Sequence, residues 1–369
     1  MRSEELESSP FTAEESERAS RYHRPLYLAA LARLLLVVAV YALLVGGGIG
    51  GLGWAAESAV WAAVVVLAAT LACLPLDLWR GLLHERRWGL STQGLRGWLT
   101  DRARSTGLAI LLAAGLWTAL VALARAVPRW WPAAAAFGAA IVVLALALLA
   151  PLLLEPLFNH FQPLADDELD RELRALADRA RVPLGGVLVA DASRRTEKSN
   201  AYVSGIGPTR RLVIWDTLLR SASKAELKLV VAHELAHQRE RHVLKGTLLA
   251  MAGAVVAVLL LWAVLGSPRP DDYPSAALVI VALELAALPP GSALSRRFER
   301  IADRCSIRLT GDREAFVQTH LRLARTNLAD LDPPRIVYLI LFTHPTPPER
   351  LALAAASRDQ AKETVAASP

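Results

Sequence analysis

Cysteine is almost missing from this chain: Cys73 and Cys305 are the two in 369 residues. Cys73 falls in an apolar run and Cys305 among charges, so neither a disulfide framework nor a paired-thiolate zinc site is expected. No glycine-rich phosphate loop follows a strand pattern, so ATP dependence is not expected. Lysine is scarce beside arginine, and with abundant alanine that balance points to a high-GC bacterium. A cleavable signal peptide needs a basic start and a short apolar core. Residues 1–20 are instead rich in Glu and Ser, which predicts an uncleaved, disordered tail extending to residue 25.

What the chain has in excess is apolar surface. With 54% hydrophobic residues and a mean hydropathy of +0.33, it is too apolar for an ordinary soluble enzyme and reads as an integral membrane protein. Six stretches are long enough, or nearly so, to span: residues 34–52, 59–78, 107–124, 133–153, 246–266 and 275–288, the last being short and carrying Glu284. A carboxylate there predicts a water-filled cavity or an interface nearby. Arginines crowd residues 18–33 and the connection 79–106, whereas residues 46–56 hold no Lys or Arg. The positive-inside rule then puts both termini and that connection in the cytoplasm, in a bacterial plasma membrane. The net charge of +6 sits at span ends, where anionic lipid headgroups are the nearest partners, so nucleic acid is not expected.

The predicted order is therefore a tail (1–25), four spans (26–156), a cytoplasmic insertion (157–245), two spans (246–290) and a cytoplasmic C-terminal part (291–369). In the insertion, 166–181 has the pattern of an amphipathic helix, and 186–189, 201–204 and 212–215 have strand character, with Gly205-Ile206-Gly207-Pro208 turning the second strand into the third. The fold class is mainly α, a polytopic helical bundle carrying a cytoplasmic part with a small β-sheet.

The insertion closes on His233-Glu234-Leu235-Ala236-His237. Chance would produce such a string roughly 1 time in 100 in a chain this poor in histidine, and residues 225–232 carry it into a helix. Imidazoles four residues apart on a helix face the same way and can share one metal ion. Zinc needs a third protein ligand and an open fourth position. On a straight helix His242 lies about 180° from His233 and cannot reach the same ion. Glu299, beyond the sixth span and a Pro289-Pro290-Gly291 break, completes a His, His, Glu set. Asp303, one turn on, is placed to accept the other ring N–H of a ligand histidine. If the helix continues past His237, the metal lies within about 14 Å of the fifth span. A sheet just before this helix suits a peptidase, since an extended substrate can add to a free strand edge, and Asn200 and Ala201 open the strand assigned that task.

Six segments in order resemble one family: residues 84–91, 155–161, 199–205, the His233 helix, 295–303 and 343–350. They look like the type 1 CAAX prenyl endopeptidases, integral-membrane zinc metalloproteases related to bacterial heat-shock membrane proteases. The resemblance implies a gluzincin-like site with one Zn2+ per chain on His233, His237 and Glu299, Glu234 as general base, and Asn200 and Ala201 taking substrate. By the same analogy His344 acts on the developing charge over the site, and Arg350 helps bind substrate. The implied partner is a peptide or protein, prenylated or membrane-associated. The readings beside it are a heat-shock-type quality-control metalloprotease and a non-catalytic membrane scaffold. The chain departs from the eukaryotic members in having six spans where they have seven.

Overall fold

The computed structural model describes residues 10–205 and 209–366. Among the described residues, six helices are long and apolar enough to cross a membrane. They are α1 (Ala13–Leu44), α2 (Trp54–Arg87), α3 (Leu95–Ala126), α4 (Trp131–Leu153), α7 (His242–Leu265) and α8 (Tyr273–Thr310). Their outward leucines and aromatics, such as Leu28, Leu43, Leu111 and Phe137, are left bare of protein, as a lipid-facing surface requires. With these spans the chain is an integral membrane protein.

Two sequence expectations change here. The tail expected to run to residue 25 is helical from Ala13, because Thr12 and Glu15 form a capping box that starts α1 well outside the apolar run. Phe11 then packs with Ala324, Leu331 and Leu351, so the polar start of α1 lies on the C-terminal part. The first span stops at Leu44, and the glycine-rich residues 46–53 form a connection although their hydropathy reads as span.

Between α4 and α7 lies the insertion. Its sheet has the order β1-β2-β4-β3, with β1 at Phe161–Pro163, β2 at Gly186–Ala190, β3 at Ala201–Ser204 and β4 at Arg211–Trp215. β2 and β4 run parallel, while β1 and β3 are antiparallel edge strands. β1 carries no strand signal in sequence, being short and ending in proline. At Gly205 φ is +82°, and a Cβ would run into the Thr209 carbonyl; residues 206–208 of the expected turn lie outside the described residues. Helix α5 (Asp167–Arg179), capped by Asp166, packs Leu169, Leu173 and Leu176 onto Leu212, Ile214 and Leu235. That core fixes α6 (Lys224–Arg239), which carries the histidines.

Polar ties join this core to the bundle. Glu85 on α2 pairs with Lys198 at 2.9 Å and accepts from Tyr22 of α1. Glu155, just past α4, accepts from Ser204 at 2.9 Å and lies 3.2 Å from Arg211. After α8 come α9 (Arg313–Thr326), a short helix Arg335–Leu341, and α10 (Pro347–Ala366).

The expected break at Pro289-Pro290-Gly291 is absent: α8 is continuous for 38 residues. The two prolines remove ladder donors locally, a loss that membrane-spanning helices tolerate. A break occurs instead between α6 and α7. Arg241 adopts φ +55°, so the helix is interrupted two residues past Arg239.

Candidate active site

Site geometry starts with the pairing of α6 and α8. On α8 the buried face is polar, with Ser292, Arg296, Glu299, Asp303 and Ser306 recurring at alternating four- and three-residue spacings. This stripe meets α6 where His233 and His237 project. Their Nε2 atoms lie 3.1 Å apart. One oxygen of Glu299 is 3.3 Å from His233 Nε2 and the other is 3.3 Å from His237 Nε2. These three are the candidate metal-holding group among the described residues.

A ring of partners holds the three in place. His233 Nδ1 is 2.9 Å from the carboxylate of Asp303, which is fully buried. Burial opposes charge on His233, but its hydrogen bonds to Asp303 and Glu299 win and push its pKa up to about 10 in the metal-free site. His237 turns its Nδ1 toward His242 Nδ1 at 3.0 Å, and the His242 ring stacks on Phe298 with centroids 4.2 Å apart. The sequence argument excluded His242 on the premise of a straight helix. The turn at Arg241 breaks that premise and folds His242 back behind His237, which it contacts while staying outside the candidate triad.

Arg350 lines the same cavity as His344, and its guanidinium also engages the site's own groups. Its Nη2 donates to Glu299 at 2.5 Å, its Nε lies 3.1 Å from Asp303, and its Nη1 lies 3.1 Å from His320 Nε2. Every guanidinium nitrogen is thus committed to the site's own groups. Burial and the neighbouring Arg350 cation depress the pKa of His320 to about 4, so its neutral ring can accept from that arginine. The exposed His344 stands at the opening with Nε2 3.4 Å from Glu299.

Glu234 faces a cavity of about 540 Å3 together with His233, Glu299, Asn200 and His344. Burial raises its pKa above the ordinary carboxylate value. Asn200 lines this cavity, whereas the Ala201 side chain is buried in the core and offers only its backbone. His23 and Tyr27 of α1, His320 and Asn327 line it too. No spacing or composition signal marks these four, because each arrives from a distant element through tertiary packing. Glu284 lines a separate cavity of about 420 Å3 within the bundle, beside Arg33, Tyr41 and Arg80.

Comparison with known proteins gives this geometry a context. Residues 163–357 match the model of peptidase family M48, and residues 20–160 match the CAAX prenyl protease N-terminal model, described as five membrane helices. Among the described residues this chain has four spanning helices in that stretch. An uncharacterized metalloprotease of Bacillus subtilis, YhfN, is 32% identical over 307 residues, covering 78% of this chain and 71% of that protein. CAAX prenyl protease 1 of Saccharomyces cerevisiae is 31% identical over 192 residues, 51% of this chain and 42% of that protein. The crystal structure of Saccharomyces mikatae Ste24p superposes with a TM-score of 0.79 at 23% identity, covering 92% of this chain and 87% of that one, which establishes a shared fold. A family match over the whole site-bearing part, with a relative at this identity along most of the chain, makes it a membrane metalloendopeptidase that belongs to peptidase family M48.

Proposed function

We propose that this protein is a zinc-dependent endopeptidase that hydrolyses peptide bonds of substrates presented at the membrane surface. One observation carries the reading: three donor groups converge on one point with a half-buried carboxylate, Glu234, facing the same cavity. A tetrahedral ion about 2.0–2.1 Å from its ligands spaces them roughly 3.3 Å apart. The 3.1 Å and 3.3 Å spacings of His233, His237 and Glu299 fit that figure. A bound zinc supplies Lewis acidity that lowers the pKa of a coordinated water toward neutrality.

The chain's own residues do the rest. Asp303 holds His233 in the tautomer with Nε2 free, and His242 acts likewise on His237. Arg350 fixes the Glu299 carboxylate. Glu234, its proton affinity raised by burial, takes the proton of the attacking water and delivers it to the departing amine. His344, at the mouth, donates to the oxyanion formed from the carbonyl. An extended substrate pairs through its main chain with the free edge of β3 at Ala201, while the Asn200 side chain faces it from the cavity wall.

The yeast relative's name, CAAX prenyl protease 1, supports a prenylated chain end as substrate. The test is cleavage of a farnesylated peptide and its unprenylated counterpart by the purified protein, with and without a zinc chelator. Zinc-dependent cleavage with a preference for the farnesylated peptide is expected. Equal cleavage of both would leave the peptidase and remove the prenyl specificity, pointing to a general quality-control protease. No cleavage by a zinc-loaded protein would overturn the assignment.

A further inference from the structure

The edge of β3 that faces the active-site cavity is not open along its whole length. In an antiparallel pair, residues alternately turn their N–H and C=O groups toward and away from the neighbouring strand. Trp215 N–H donates to the Asn200 carbonyl at 3.0 Å, so Asn200, Tyr202 and Ser204 face β4. Ser199, Ala201 and Val203 therefore turn their main-chain groups to the free edge. At Ser199 that edge is already occupied. The Asn327 side chain accepts from Ser199 N–H at 3.0 Å and donates from Nδ2 to the Ser199 carbonyl at 3.3 Å. These are the two hydrogen bonds that a residue of a neighbouring strand would make.

Asn327 is firmly held in that place. Its N–H donates to Leu323 as α9 ends, Leu328 follows with φ +47°, and Ala329 N–H closes the cap on Ala324 at 2.9 Å. The Leu328 carbonyl is in turn held by His23 Nε2 at 2.7 Å, and Tyr27 donates to Asp330 at 2.5 Å. At the next edge position the arrangement is different. Ala201 N–H is satisfied only by the Asn200 side chain beside it, at 2.9 Å, a bond that an incoming carbonyl can replace.

We propose that Asn327 is a specificity-determining residue: its amide acts as a fixed stand-in for a substrate residue and ends the substrate-pairing edge at Ala201. Open-edge residues recur about 6.8 Å apart along a strand. A bound peptide can pair at Val203 and Ala201 but not at Ser199, so its extended course stops about two residues past the one opposite Ala201. Beyond that point the cavity is walled by His23, Tyr27 and Asp330. The enzyme thus limits how much chain it accepts on one side of the cleaved bond, and its substrates are cut close to a chain end. This rests on β3 being the strand that takes substrate.

The experiment uses full-length, zinc-loaded protein in detergent and quenched-fluorescent peptides that share one cleavage sequence. One series is lengthened stepwise at the N-terminal end and the other at the C-terminal end, with cut positions read by mass spectrometry. The native enzyme should lose at least tenfold in kcat/KM beyond a threshold length in one series and show no threshold in the other. Asn327→Ala should raise the long-to-short ratio of kcat/KM in the sensitive series at least tenfold, whatever its absolute rate. Asn327→Asp keeps the acceptor for Ser199 N–H, so it serves should the alanine variant not fold; it should raise the ratio at least threefold. An unchanged ratio accompanied only by a lower Tm would reduce Asn327 to a structural tie and overturn the inference. A native enzyme that cuts all lengths equally would do the same. A zinc-loaded native protein that cuts no peptide of either series would instead count against the proposed function.

Discussion

Four side chains around the candidate zinc position carry separable consequences. Glu234 donates nothing to the metal triangle, so Glu234→Gln should retain zinc and lower kcat about 100- to 10,000-fold, the span typical of a lost general base. Paired elemental analysis and kinetics check this, and an active variant contradicts the assignment. Glu299→Ala removes a ligand and leaves Arg350 and Asp303 around a vacated space, so zinc content should fall; full occupancy would rule Glu299 out as a ligand. His242→Phe keeps a ring to stack on Phe298 but removes the acceptor facing His237 Nδ1. Loss of such a partner costs about 10- to 100-fold in metal affinity, readable by competition with a chelator.

A further consequence concerns pH. The hydrogen bonds of His233 to Asp303 and Glu299 push its pKa well above that of a free imidazole, and a metal ligand must be neutral, so zinc uptake at neutral pH should expel a proton. Zinc affinity should therefore rise with pH, about tenfold per unit between roughly pH 6 and pH 8. A flat profile would contradict the protonated state of this imidazole.

At the scale of elements, α8 has two parts to play: it is long and apolar enough to cross the membrane, and it carries Glu299, the proposed third ligand. Its Arg296 is buried and donates Nη1 to the carbonyls of Tyr338 and Phe342, at 3.0 Å and 2.6 Å, while Ser292 donates to Ile340 at 2.7 Å. These bonds anchor the short helix Arg335–Leu341, and with it the following residues that hold His344 beside Glu299. Arg296→Ala removes a charged donor from two half-buried carbonyls, of which that of Tyr338 still accepts from Phe342 N–H at 3.3 Å, at a total cost of about 1–3 kcal/mol. The expected result is a lower Tm and a kcat reduced at least about tenfold, with zinc content preserved because no ligand is touched. An unaltered rate would show that the His344 loop does not depend on this anchor.

The elements also show where sequence patterns are legible. The amphipathic helix at 166–181 and the strands at 201–204 and 212–215 follow their predicted periodicities to within two residues. The α6–α7 break was hidden, because Arg241 is neither glycine nor asparagine and nothing local announces a left-handed residue. The proline pair misled in the opposite direction, since a strong local breaker sits inside a helix that stays continuous.

For the molecule as a whole, six crossing helices would put both ends of the bundle on one face, and the arginine density leads us to propose that this face is cytoplasmic. Reporter fusions at the two ends should both report a cytoplasmic location. Opposite locations would mean that one of the six helices does not cross. The placement of α1 gives the bundle a second use. Its polar first turns pack on the C-terminal part, and His23 and Tyr27 wall the cavity, so the N-terminal residues belong to the catalytic architecture as much as to the membrane anchor.

By itself the sequence determined what depends on local spacing and summed hydropathy: a membrane protein, the two histidines on one helical face, a carboxylate two spans further along the chain as the candidate to complete their set, and the reaction class these imply. Those features follow from helix geometry and solvent transfer, which act residue by residue. The tertiary structure alone decided what depends on convergence. It turned Arg350 inward onto Glu299 and Asp303, folded His242 behind His237, and set Asn327 against the edge of β3. Such contacts join residues tens to hundreds of positions apart, and their geometry is fixed by packing, which no periodicity encodes.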